Sequence, residues 1–336
     1  MGIFYSLLGS DANLRISRAR RVPKSRQLEN FLRFTRPLSS RSWARSLLAS
    51  AAASLILTVG FAQNSAHADP LYPVPTAQKL ADPNVKGAND WWCKPNAAHP
   101  RPIVLVHGTF TAASAVWNTL SPELKNQGYC VFALNYGEKS GVPLLKGIAP
   151  VAGSARQLSD FVDGVLAATG AKKVDMVGHS QGAMMPRYYL KYLNGKEKVN
   201  SLIGLGPTNH GTTIDGIATL AARIPGAADV YRSLCPACSE QLAGSSFLED
   251  LNAGGDVVPG VSYTVIATQY DAVATPYQKQ FLTGANVRNV VLQDLCAADF
   301  TGHAALTFDR IALHEVRNAL DPANASPSTC WTAVTG

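Results

Sequence analysis

Apolar and polar positions along this chain fall into two alternating rhythms. Short, largely apolar runs recur at 103–108 (IVLVHG), 130–136 (CVFALNY), 173–179 (KVDMVGH), 199–207 (VNSLIGLGP), 263–271 (YTVIATQYD) and 287–295 (VRNVVLQDL). Between them lie stretches whose apolar residues are three and four apart. Residues 155–170 set Leu158, Phe161, Val162, Val165 and Leu166 on one helical face and end in Gly170, a helix-stop signal. Helices are likewise predicted at 115–128, 181–194 and 304–320. Strands buried on both faces read as continuous apolar runs, and their alternation with helices predicts βαβ units. The expected architecture is α/β, a mostly parallel central sheet flanked by helices. No linker divides the six strand candidates, so residues 69–336 read as one domain.

One interval breaks the rhythm. Residues 208–262 are too long for an ordinary connection and hold the apolar stretch IDGIATLAARIPGAADVYRSL. A cap or lid over the carboxyl edge of the sheet is expected there. The Pro-rich lead-in before residue 103 reads as irregular.

Charge changes the picture once it is located. The chain of 336 residues carries a formal +7. Residues 1–45 hold ten basic and two acidic side chains, a surplus of +8, and residues 46–68 hold none of either. The remainder is therefore −1, and the basic balance gives no reason to expect a nucleic-acid partner. The basic stretch runs into an apolar segment, Leu47 to Ala62, followed by Ala66-His67-Ala68. That order predicts a secretory signal peptide cleaved after Ala68. The apolar segment is short for a membrane span, which needs ~20 residues. The basic lead is long for a signal, and Arg20-Arg21 lies too far upstream to read readily as a twin-arginine signal. The mature protein is expected outside the cell, monomeric and without a membrane span. Cys93, Cys130, Cys235, Cys238, Cys296 and Cys330 all follow the expected cleavage site. An even number in an exported protein predicts disulfides, with fifteen possible pairings. Cys235-Pro236-Ala237-Cys238 does not open a helix after a strand, so a structural bridge is favoured there over a redox motif.

The chemistry is carried by Gly178-His179-Ser180-Gln181-Gly182. The pentapeptide alone also suits an ordinary turn. Its place between a predicted strand and a predicted helix is what a nucleophile elbow requires. Such a serine needs a base, and in this strand–serine–helix arrangement the partners follow in the order Ser, Asp or Glu, His. His210, His303 and His314 follow Ser180. His303 is favoured because it lies on a loop between the last strand and the last helix; His210 is the alternative, and His314 falls inside a helix. For the acid, Asp271 ends a predicted strand, with Asp294 and Asp299 as rivals. Backbone N–H groups of Gln181 and of Thr109, after the tight turn at Gly108, would form the oxyanion hole. No metal-binding pattern is seen and no cofactor is expected; a lone structural calcium site stays open.

Together VLVHGTF, CVFALNYG, VGHSQGAMMPRYYLKYL, GLGPTNHGTT and CAADFTGHAALTFDRIALHEVRNALDP resemble the secreted bacterial triacylglycerol lipases of class 2, within the α/β-hydrolase superfamily. The resemblance spans most of residues 90–335. It implies the α/β-hydrolase fold, the triad Ser180–Asp271–His303 and the Thr109/Gln181 amide pair. It implies bridges Cys93–Cys130 and Cys296–Cys330, which leave Cys235 to Cys238. It also implies cleavage of acylglycerol esters, with a lipid substrate met at a lipid–water interface. The alternatives are a carboxylesterase, a polyesterase, an acyltransferase acting on cell-envelope lipid, or a hydrolase-like binding protein without activity.

Overall fold

The computed structural model describes residues 73–138, 145–214 and 226–332. The expected signal segment and its cleavage site lie outside the described residues. Six strands form one sheet: β1 (Ile103–Val106), β2 (Val131–Leu134), β3 (Val174–His179), β4 (Val199–Leu205), β5 (Ser262–Ala267) and β6 (Val287–Val291). Their order is β2-β1-β3-β4-β5-β6, and every neighbouring pair runs parallel.

Parallel strands must be covered on both faces, and successive side chains point to opposite ones. Val104, Val106, Phe132, Leu134 and Met176 pack in one core with Leu158, Phe161 and Val162 of α4 (Val151–Thr169) and Met184 of α5 (Gln181–Tyr192). Ile103, Leu105, Val131, Ala133 and Val177 face the other way. They meet Trp117, which caps the end of α2 (Ala113–Val116), Leu120 and Leu124 of α3 (Leu120–Asn126), and Ile311 and Val316 from the closing helix. Each such fully buried side chain contributes about 1.5–3 kcal/mol.

Element boundaries differ from the sequence reading in three instructive places. The lead-in is not wholly irregular: Pro73–Leu80 forms α1, with its prolines Pro73 and Pro75 in the first turn, where no N–H is needed. The helix expected at 115–128 breaks at Trp117–Thr119, which places Pro122 in the first turn of α3. The helix expected at 304–320 is a 3₁₀ turn, His303–Thr307, followed by a helix that starts only at Arg310. Asp309 causes the break, because its carboxylate caps that helix by accepting from the Ala312 N–H at 2.7 Å.

The interval between β4 and β5 carries α6 (Ala227–Leu234), α7 (Pro236–Glu240) and α8 (Ser246–Asn252); residues 215–225 of the expected cap lie outside the described residues. After β6 come α9 (Leu292–Leu295) and the closing helix α10 (Arg310–Leu320). Three disulfides are formed: Cys93–Cys130, Cys235–Cys238 and Cys296–Cys330. The first and third close loops of 37 and 34 residues. By restricting the unfolded chain, each such loop contributes about 3–4 kcal/mol. No helix among the described residues is long and apolar enough to cross a membrane.

Candidate active site

Ser180 sits between β3 and α5 with φ 57° and ψ −125°, a conformation that costs a non-glycine residue about 1–3 kcal/mol. The turn is possible only because its flanks are glycines. A Cβ on Gly178 would stand 2.0 Å from the Gly182 carbonyl oxygen, and one on Gly182 would stand 2.2 Å from that of His107. The strained turn presents Ser180 at the carboxyl end of the sheet and the N-terminus of a helix. Developing negative charge is favoured there.

The cleft beside Ser180 is a cavity of about 330 Å³ lined in part by Thr109, Phe110, Thr208, Gln241, Val273 and His303. A larger cleft of about 850 Å³, around Arg101, Arg288 and Glu315, lies at the opposite ends of the strands and holds none of the site residues.

His303 and Asp271 meet in this region, with Nδ1 of the imidazole 2.7 Å from Oδ2 of the carboxylate. Asp271 is not at the end of β5, as its sequence context predicts, but four residues beyond it in a turn. That turn serves the carboxylate: Oδ1 accepts from the N–H groups of Val273 and Ala274 at 2.8 and 2.7 Å. Burial pushes the Asp271 carboxyl up, but the hydrogen bond and charge of His303 and the two backbone donors outweigh it. The net result is a carboxyl held below its ordinary range. An ionised Asp271 can only accept, so the imidazole must carry its hydrogen on Nδ1, which leaves Nε2 free to take a proton.

Two other histidines surround the site, and burial keeps both neutral. His107 is pushed down to about 4 and His179 to about 3, in each case chiefly by desolvation. His179 Nε2 donates to the His303 backbone carbonyl at 3.0 Å. A neutral His179 therefore props the backbone that carries His303. Among the described residues, neither the Thr109 nor the Gln181 N–H has an acceptor within the protein. Both are available as donors.

The rivals are accounted for. His210 is engaged by Asp256 at 2.9 Å and by the Lys279 carbonyl at 3.0 Å. His314 contacts Ser328 and Ser326. Asp294 is exposed on α9. Asp299 accepts from the Thr301 N–H and shapes the His303 loop. One residue that sequence reasoning did not identify is Gln280, wholly buried, whose Nε2 donates to Asp271 Oδ2 at 2.8 Å. Nothing in TPYQKQFL marks it; only the fold brings it to the acid. No group of three or more His, Cys, Asp or Glu side chains among the described residues is arranged to hold a metal ion.

A parallel sheet covered on both faces, with a serine in a strand-to-helix elbow and a His–Asp pair on later loops, defines an α/β hydrolase. Residues 100–314 match the family described as Lipase (class 2), and the chain belongs to that family. It is similar to a triacylglycerol lipase of Pseudarthrobacter phenanthrenivorans, 37% identical over 97 residues that make up 27% of this chain and 28% of that one. A triacylglycerol lipase of Vibrio cholerae is 30% identical over 174 residues, 47% of this chain and 46% of that one. The matches thus span less than half of these curated relatives. In fold the chain is similar to Aspergillus fumigatus lipase B. The TM-score is 0.55 at 20% identity, covering 70% of this chain and 56% of that one.

Proposed function

We propose that the protein is a secreted serine hydrolase that cleaves fatty-acyl esters, acylglycerols among them, through a covalent acyl-enzyme. The observation that carries this reading is the 2.7 Å contact between His303 Nδ1 and the ionised Asp271, on the same cleft as the strained Ser180. In the proposed reaction His303 Nε2 takes the Ser180 proton as Oγ attacks the ester carbonyl. The tetrahedral oxyanion is met by the Thr109 and Gln181 N–H groups. Collapse expels the alcohol, which receives the proton back from His303. Water, deprotonated by His303, then attacks the acyl-enzyme, and His303 returns that proton to Ser180 Oγ as the fatty acid is released. Each oxyanion donor is worth about 3 kcal/mol of barrier.

The choice of a fatty-acyl ester rests on the rim of the cleft. Phe110 and Val273, which both line it, are 53% and 44% exposed. Exposed apolar side chains gathered round one opening mark a surface for an apolar partner, and a lipid phase supplies one. The family membership points the same way, as do three disulfides, which persist in oxidising surroundings outside the cell.

The test is turnover of p-nitrophenyl esters of increasing acyl length alongside emulsified triglyceride. Hydrolysis of long-chain esters and of triglyceride is expected. Activity confined to acetyl and butyryl esters would reduce the reading to a carboxylesterase. Transfer of the acyl group to an added alcohol in preference to water would favour an acyltransferase.

A further inference from the structure

The segment that follows α7 brings one polar side chain to the serine's cleft. Gln241 is 5% exposed, and its carboxamide is engaged on both sides. Nε2 donates to Thr109 Oγ1 at 2.9 Å and to the Ala237 carbonyl at 3.0 Å, while Oε1 accepts from the Thr208 hydroxyl at 2.9 Å. Turning the amide over would set two oxygens face to face at Ala237, so its orientation is fixed. Because Thr109 Oγ1 receives a hydrogen bond, its own proton must point elsewhere. Gln181 Oε1 lies 3.3 Å away, long for a bond between oxygens. The Tyr136 hydroxyl lies 3.3 Å from the same oxygen but gives its one proton to the His107 carbonyl at 2.6 Å. The rotamer of Thr109 is thus set by a residue 132 positions further along the chain.

Gln241 is itself tied down. Its carbonyl accepts from the Thr212 N–H at 3.0 Å. In α7, the Ala237 N–H donates to the Ile148 carbonyl at 3.2 Å. The Glu240 carboxylate accepts from the Val151 N–H, at the start of α4, at 2.7 Å. The Cys235–Cys238 bridge closes the same turn from within. Residues 235–241 are therefore built into the wall of the cleft.

We propose that Gln241 is a positioning residue for the oxyanion loop. Its amide holds the Thr109 side chain in one rotamer and thereby keeps the Thr109 N–H turned toward the reacting carbonyl. The inference rests on the oxyanion role proposed above for Thr109. Gln241 touches no reacting atom, so its effect falls on the transition state and not on substrate affinity.

The test uses steady-state kinetics on a soluble short-chain p-nitrophenyl ester. Gln241→Leu is expected to lower kcat by about 10-fold or more and to leave KM within about twofold, a fraction of what loss of a whole oxyanion donor costs. Gln241→Glu supplies a second arm. An ionised glutamate can accept from Thr208 but cannot donate to Thr109, whereas a protonated one can do both. Its kcat relative to the wild type should therefore rise as pH is lowered from 8 to 5.5; a merely structural loss gives a ratio that does not move with pH. In the double variant Gln241→Leu/Thr109→Val, kcat should match that of Thr109→Val to within about twofold, because both changes remove one device. A kcat for folded Gln241→Leu within twofold of the wild type, a pH-independent Gln241→Glu ratio, or losses that multiply in the double variant would overturn the proposal. Labelling of Ser180 by a fluorophosphonate, run on the same samples, separates the two readings. Absence of labelling in the wild-type protein sinks the serine mechanism itself; labelling with unresponsive Gln241 variants sinks only the role of Gln241.

Discussion

Gln280 donates from Nε2 to Asp271 Oδ2 at 2.8 Å, sharing that oxygen with His303 Nδ1 at 2.7 Å. The same nitrogen reaches the Ala274 carbonyl at 3.0 Å, so Gln280 also braces the turn that carries the acid. Gln280→Leu removes one of the four donors on Asp271 and leaves a buried carboxylate less well satisfied. That is expected to cost about 1–2 kcal/mol, a fall in kcat/KM of about 10-fold. The check is the rate on a soluble ester beside a Tm measurement, with folding retained.

The elbow glycines make a separate prediction about packing. Gly182→Ala sets a Cβ 2.2 Å from the His107 carbonyl oxygen, a backbone atom that cannot step aside cheaply. It is expected to destabilise the protein by about 1–3 kcal/mol or more and to displace Ser180. Gly153, inside α4, has nothing within 4 Å of its added Cβ. Gly153→Ala should be neutral or stabilising by up to about 1 kcal/mol. Thermal unfolding of the two variants side by side tests the contrast.

The buried histidines give stability a sign with pH. His107 and His179 are depressed from 6.5 to about 4 and about 3, so between those values and 6.5 the unfolded chain binds protons that the folded one does not. Stability therefore falls as pH drops below 6.5. His107→Gln removes one such group, so its stability deficit against the wild type should shrink between pH 7 and pH 4.5 in denaturant titrations. Asp271 adds a later term. Its lowered carboxyl stabilises the fold above the ordinary carboxylate range and loses that contribution as pH falls through its folded value.

Most of the architecture could be read from the chain because each strand is short, apolar and bounded. β1 and β2 bury every residue they contain, and such runs have few other readings. The elbow was equally plain in its strand–serine–helix setting, although only Gly178 has a local reason; Gly182 answers to the distant His107 carbonyl. What escaped was set by distant contacts or local capping. The helix at Pro73–Leu80 hid behind prolines that its first turn tolerates. The long final helix hid a break at Asp309, whose capping role depends on the backbone it meets. Gln280 and Gln241 act on Asp271 and Thr109 through the fold alone, across 9 and 132 positions, and a glutamine in a polar stretch carries no pattern that announces it.

The apolar rim predicts a substrate-dependent defect. Val273→Ser removes an exposed apolar side chain of the rim and keeps the backbone N–H that Asp271 accepts. Hydrolysis of emulsified long-chain triglyceride is expected to fall several-fold, while the rate on a soluble short-chain ester stays within about twofold, because only the first requires contact with an apolar phase. Equal losses on both substrates would place the effect in the chemistry instead.

Covalent labelling tests the central claim most directly. The wild-type protein, treated with a fluorophosphonate and digested, should carry the phosphonyl mass on the peptide containing Ser180. Ser180→Ala should take up no label and lose hydrolysis by about 10⁴-fold or more. A label on any other residue, or an active Ser180→Ala protein, would contradict the account.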